Sequence, residues 1–367
     1  MASNYFFKCL FCGSTYGQVT LKCPKCGGLT IVKYESARFE INRSKPSIWR
    51  YSLLPRFSKI ISKGEGLTPI VKVGGVLVKN ERFNPTGTYA DRASSIIASY
   101  IASNSITAVR VPYERDFTRS LAYYLAGLAK LYIDIPDVLA IDSLELLALE
   151  EVGVEPGVGE EALNIGYVNP LTVEGLKTIA FEVYEASAKV ENIVVPAISG
   201  TLALSIAKGL EELRELGHNH SYNVIAVITK ERETPELLKT FKTIKVVEVK
   251  SSEALELALE LARKGVKTSV IAALSYKVAE NLGNSLAVLT MGFKRTVKLR
   301  TDSEYKRKLI EVLRNLGEAT AYQLWKEAPF YTLRGTYKML LAMERRGEIC
   351  SEIRARGKRK VKYYKLC

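Results

Sequence analysis

Four cysteines in the stretch CLFCGSTYGQVTLKCPKCGG, Cys9, Cys12, Cys23 and Cys26, make two C-x-x-C knuckles separated by ten residues. Paired knuckles deliver four thiolates to one tetrahedral zinc ion, and the glycines after each pair let the backbone turn tightly beneath the metal. Four protein ligands close such a site, so its expected role is structural: it holds the N-terminus together. Two other chemistries use the same residue types. A disulfide is disfavoured in a reducing cytosol, and a redox C-x-x-C needs no partner knuckle. Cys350 and Cys367 are isolated in sequence and are expected to have no metal role.

The second set of chemically informative residues is cationic. The net charge is +14, and it is placed at the ends: residues 1–62 carry 10 Lys and Arg against 2 acids, and residues 301–367 carry 16 against 8. Concentrated positive charge is the footprint of a polyanionic partner, with an ordinary solvated surface as the alternative. Six of these cations, Arg354, Arg356, Lys358, Arg359, Lys360 and Lys362, fall in one short run without an acid.

The elements that must position these residues follow from periodicity. A chain of 367 residues with 47% hydrophobic content can bury one or two sizeable cores. No apolar run reaches membrane-spanning length and no leader precedes the first cysteine, so a soluble, cytoplasmic protein without a membrane partner is expected. Glutamine is confined to Gln18 and Gln323 in a chain rich in Ile, Val, Lys and Glu, a bias of thermophile proteins. From about residue 60 to 295, β-branched runs such as NIVVPAI and NVIAVITK alternate with helical stretches such as TLALSIAKGLEELRELG. That alternation predicts an α/β body whose parallel sheet is covered on both faces.

The last part predicts helices over Ser303–Leu316, Thr320–Ala328 and Thr332–Arg346, with Pro329 in the turn before the third, then two strands joined at ARGKRK. Leu309, Val312, Leu313, Leu316, Leu324, Leu333, Tyr337, Leu340 and Leu341 recur at helical spacing and can close one core. Three helices and a basic hairpin resemble the winged helix-turn-helix of archaeal and bacterial regulators. The resemblance implies that the third helix enters the major groove of DNA. Thr332, Arg334, Gly335, Thr336 and Lys338 would then meet base edges, and the six hairpin cations would meet phosphates or a minor groove. Winged helices also serve as protein-interaction or dimerisation modules.

An ordered series, the ribbon ending CPKCGG, then IWRYSLLP, GEGLTPI, KNERFNPTGTYADR, NPLTVEGLKTIAFEV and VVPAISGTLALSIAKG, resembles threonine synthases over residues 1 to about 293. The resemblance implies a two-lobed body of the type II pyridoxal-phosphate fold, like the tryptophan synthase β chain. The expected domains are a zinc ribbon (1–35), this body (36–298) and the winged helix (299–367).

The departures from that family fall where its cofactor would sit. The family's segment reads N-P-T-G-S-F-K-D-R, with the lysine forming the Schiff base; here Ala90 stands between Tyr89 and Asp91. A methyl group forms no imine, and Lys79 or Lys294 would have to reach the same aldehyde carbon within tight limits. An engineered lysine-to-alanine change would leave every other cofactor residue normal. Instead the family's Ser-Gly-Asn turn corresponds to Glu114, Arg115 and Asp116, with Arg115 expected to fill it. The phosphate loop is reduced to Ser199, Gly200 and Thr201, an eroded anion site at a helix start for which capping by Ser199 is the plainer role. Thr290 remains where a hydroxyl would face the pyridine nitrogen, followed by Met291 in place of glycine.

The sequence therefore leads to a non-catalytic body with a structural zinc and no expected pyridoxal phosphate, joined to a module that binds duplex DNA as a transcriptional regulator. The body would serve homodimerisation or the sensing of a small-molecule effector. Two alternatives stand beside it: an active threonine synthase or related lyase with an accessory domain, and a factor that binds RNA or the ribosome.

Overall fold

The computed structural model describes residues 4–137, 141–157, 159, 161–266, 268–290, 301–328, 332–357 and 359–367. The chain divides into two compact units, Met1–Thr296 and Val297–Cys367. Lys294, Met291, Pro329 and Lys358, each singled out above, lie outside the described residues, as do the side chains of Arg356 and Arg359.

In the first unit the strands Thr15–Tyr16, Asn4–Cys9 and Thr30–Glu35 form a small antiparallel sheet in that order. The unit also contains two larger sheets. One has six strands in the order Ile244–Val249, Asn223–Thr229, Asn192–Pro196, Ser285–Leu289, Val76–Asn80 and Ile70–Val73; only the last pair is antiparallel. The other has four parallel strands in the order Val154–Pro156, Lys130–Asp134, Ala108–Pro112 and Leu163–Asn164. Parallel strands need crossover helices, which cover both faces, and this is why Ile193, Val194 and Val195 are all fully buried.

Local chemistry sets the helix starts. Asn169 accepts a hydrogen bond from the Thr172 N–H at 2.9 Å, and Pro170 occupies the first turn of the helix Pro170–Leu176. Gly175 of this helix packs so tightly on the helix Asp91–Ser103 that a Cβ would collide with the Arg92 backbone. The EGLKT motif is thus a packing requirement of the two helices.

Two buried ionic clusters brace the unit. Arg92 is wholly buried and bonds Glu81 and Glu182 with its guanidinium; Lys79 donates to Glu182 at 2.6 Å and to Thr68. A second cluster joins Glu174, Lys177, Lys208 and Glu212. Tyr34, on the last ribbon strand, donates its hydroxyl to Glu174 at 2.6 Å, which ties the ribbon to the body.

The C-terminal unit contains helices Thr301–Leu316, Ala321–Glu327 and Leu333–Arg345 and strands Ile349–Arg356 and Arg359–Leu366. A short strand Glu318–Thr320, missed in the sequence, pairs with the last strand. Thr320 and Gln323 form a reciprocal capping box at the second helix.

The core of this unit corrects the sequence reading in several places. Tyr337 and Leu341, expected inside, are 45% and 42% exposed, and Leu316 is half exposed at the end of its helix. The buried stripe of the third helix runs instead through Thr336, Leu340 and Met343. Thr336, expected at base edges, is fully buried because its hydroxyl is satisfied by Tyr305 Oη at 2.6 Å and by the Thr332 carbonyl. Cys350 and Cys367 are not isolated in space: the hairpin register brings them together and they form a disulfide.

Candidate functional site

The sulfurs of Cys9, Cys12, Cys23 and Cys26 all lie within 4.8 Å of one another. Gly13 and Gly27, each directly after the second cysteine of a knuckle, both take φ +72°, and their N–H groups return to the Cys9 and Cys23 carbonyls at 3.1 and 2.7 Å. The knuckles are therefore equivalent turns that aim their thiols at one point. The closest separations, Cys9 to Cys26 at 3.5 Å and Cys12 to Cys23 at 3.6 Å, suit sulfurs about 2.3 Å from a tetrahedral zinc. Four cysteines around a common centre are the donor set of a closed structural site. One zinc per chain is expected by metal analysis, released by Cys23→Ser or by chelators. The α/β body should keep its circular-dichroism signature after that loss, because its own core is large. Zinc-free protein with an unchanged, protected N-terminus would count against this.

A cleft of about 170 Å³ lies between the two parallel-sheet lobes. The structure brings Ser199, Gly200 and Thr290 to it, as the sequence placed them, together with Ser269 of the run GVKTSVIAALSYKV and Tyr167, which no sequence signal marked. Gly200 adopts φ +83° at the entry to the helix Thr201–Glu215, and a Cβ there would press on Leu238. Thr201 is buried at the start of that helix, and its hydroxyl meets Ser199 Oγ at 2.9 Å. Ser269 and Thr290 hydroxyls lie 3.2 Å apart. Across the cleft the Tyr167 hydroxyl donates to Tyr89 at 3.1 Å.

Ala90 sits at the N-terminal boundary of the helix Asp91–Ser103 and is fully buried; its N–H points at Thr88 Oγ1, 3.1 Å away. Among the described residues, no lysine lines the cleft. Lys79 is spent in the Glu182 cluster. Arg115, expected to fill the ring turn, faces solvent instead at the first position of the helix Arg115–Leu125. Its neighbours Glu114 and Asp116 wall the cleft. Burial raises the Asp116 carboxyl above its ordinary range, with Arg119 and Arg115 pulling the other way. Among the described residues that line the cleft, none offers an amine, and Glu114 and Asp116 place carboxyl groups on its wall.

On the C-terminal unit, the exposed face of the helix Leu333–Arg345 presents Arg334, Tyr337, Lys338, Leu341 and Arg345. The helix's acid, Glu344, is turned to the hairpin and bonds Lys362 at 2.7 Å. Arg354 is likewise engaged by Glu318 and Glu352. The acid-free run in the sequence therefore meets acids in space, Glu318 and Glu352 brought by strand pairing and Glu344 by the helix Leu333–Arg345. Lys360 is exposed in the hairpin, and Thr332 is exposed while capping the third helix.

No family model matches the chain. It is 27% identical to a threonine synthase of Methanosarcina acetivorans, over 65% of this chain and 68% of that protein. It is also 27% identical to a threonine synthase of Methanocaldococcus jannaschii, over 57% of this chain and 62% of that protein. Among solved structures it is similar to cysteine synthase from Entamoeba histolytica, with TM-score 0.53 and 15% identity, covering 64% of this chain and 88% of that one. A pyridoxal 5'-phosphate-dependent aspartate racemase gives TM-score 0.51 at 14% identity, covering 64% and 92%. The chain is thus threonine synthase-like, with the type II fold of pyridoxal-phosphate enzymes. No described helix is long and apolar enough to cross a membrane.

Proposed function

We propose that this threonine synthase-like chain is non-catalytic and binds duplex DNA through a C-terminal winged helix, as a transcriptional regulator whose body dimerises or senses a metabolite. The observation that carries the binding reading is the face of the helix Leu333–Arg345. Arg334, Lys338 and Arg345 project from one side of it while its acid is turned to the hairpin. The non-catalytic reading is supported by Ala90, by the commitment of Lys79 to buried partners, and by the carboxylates at the cleft.

Ala90→Lys alone should recover no threonine synthesis, and the unaltered chain incubated with pyridoxal phosphate should give no borohydride-reducible adduct at this cleft. Robust activity in the single variant would overturn the idea that the site has diverged at several positions. The enzyme reading is favoured by the name of the relatives at 27% identity. It requires a visible cofactor band in the purified protein. Comparing retention on duplex DNA, structured RNA and ribosomes tests the partner, and preference for RNA or ribosomes would replace the DNA reading.

A further inference from the structure

Tyr337 and Leu341 stand one helical turn apart and side by side on the outer face of the helix Leu333–Arg345, 45% and 42% exposed. The core beneath does not need them, since Thr336, Leu340 and Met343 close it. Single exposed apolar residues are ordinary on any surface. This pair differs in its setting, because Arg334, Lys338 and Arg345 flank it on the same face and no acid interrupts it.

Such a surface fits an occupant that is polyanionic at its edges and offers apolar groups between them. The major groove of duplex DNA has that composition, with two phosphate backbones flanking a floor on which the thymine methyl is the apolar feature. The groove is about 12 Å wide and admits an α-helix. A second copy of this face fits poorly. Two half-exposed side chains offer on the order of 200 Å² of apolar surface, against about 800 Å² per partner in a stable interface. Pairing the face with itself would also oppose three cations to three.

We propose that Tyr337 and Leu341 read thymine methyl groups, with Arg334, Lys338 and Arg345 holding the flanking phosphates or guanines. The proposal rests on the DNA reading above and assigns its sequence preference to residues that a polar-contact view would overlook.

The test begins with the full chain and a duplex enriched by repeated selection from a random pool. Affinity is then compared between that duplex and the same sequence with deoxyuridine at every thymine, which deletes the methyls and leaves charge and hydrogen-bonding edges alone. Each methyl buried is worth about four-fold in affinity, so a loss on the order of ten-fold is expected for two. The double variant Tyr337→Ala, Leu341→Ala should bind both duplexes equally, with its salt dependence unchanged. Both positions are exposed, and unchanged circular dichroism would confirm that the variant folds.

Equal binding of the two duplexes by the unaltered chain, or an enriched sequence without thymine, overturns the proposal while leaving DNA binding intact. Failure to enrich any duplex overturns the DNA reading itself. A double variant that turns a dimer into a monomer in sedimentation, with no difference between thymine and uracil, would make this face a self-interface and also overturn the proposal.

Discussion

Raising salt from about 50 to 200 mM should weaken binding of the full chain to duplex DNA by about 10² to 10³-fold, if about four to six phosphates are neutralised. These contacts are expected to be drawn from Arg334, Lys338, Arg345 and Lys360 and from Arg356, Lys358 and Arg359 of the basic run. Arg354 and Lys362 should contribute less, since each must first leave its carboxylate partners. Exposed pairs of this kind are weak, so they reduce the gain without preventing it.

Arg334→Ala should cost about 1–3 kcal/mol at one base position if the arginine meets a guanine. Replacing Arg356 and Arg359 with alanine should instead weaken all sequences alike and flatten the salt slope. Removing residues 301–367 should abolish duplex binding, as read by fluorescence anisotropy. The N-terminal unit keeps its own cores and should stay folded. If that shortened chain bound DNA as well as the whole, the basic ribbon would become the nucleic-acid contact and the C-terminal unit a protein-interaction module.

The second large effect concerns stability. Glu182→Ala should destabilise the first unit by about 3–5 kcal/mol, because Arg92 and Lys79 would be left charged, buried and short of their partner. The loss is measured as a shift in the urea unfolding midpoint at neutral pH. Burial opposes ionisation of Glu182, but Arg92 and Lys79 overcome it and hold the carboxyl at about 2 against an ordinary 4.5.

A depressed folded value means that its contribution, on the order of 3 kcal/mol, is complete above pH ~4.5 and is lost as pH falls toward 2. In Glu182→Gln this acid limb should flatten. Asp91 acts in the opposite sense. Burial raises its carboxyl from 3.8 to about 6, despite hydrogen bonds from Ser120 and Thr86, so stability should decline as pH rises between those values. Asp91→Asn should remove that decline, and an unaltered pH profile in both variants would refute these assignments.

Much of this protein is legible in its sequence where the determinants are local. The C-x-x-C spacing specifies the two knuckles that bring four sulfurs together, because two residues between the thiols is the length of one tight turn. Gly13 and Gly27 then supply the positive φ that closes it. Alternating strand and helix periods specify a parallel α/β body, since only crossover helices can join such strands. The order of motifs places Ala90 where the family's lysine is expected, and the non-catalytic reading proposed above rests on that placement.

What the tertiary structure decided is which neighbours meet. In the last helix, residues 333, 337, 340 and 341 and residues 336, 340 and 343 are both plausible helical stripes. The Tyr305 hydroxyl, offered by another helix, makes the second the buried one and sends Tyr337 and Leu341 outward. At the cleft, the sequence could not say whether Glu114, Arg115 or Asp116 faces inward, because that depends on where the helix Arg115–Leu125 begins. Lys79 looks like a free amine until strand pairing and the helix carrying Glu182 enclose it. Cys350 and Cys367 lie 17 residues apart, yet a hairpin register joins them. In each case the chain encodes a capacity for contact, and long-range packing selects the partner, because burying a polar or charged group is affordable only beside a group that satisfies it.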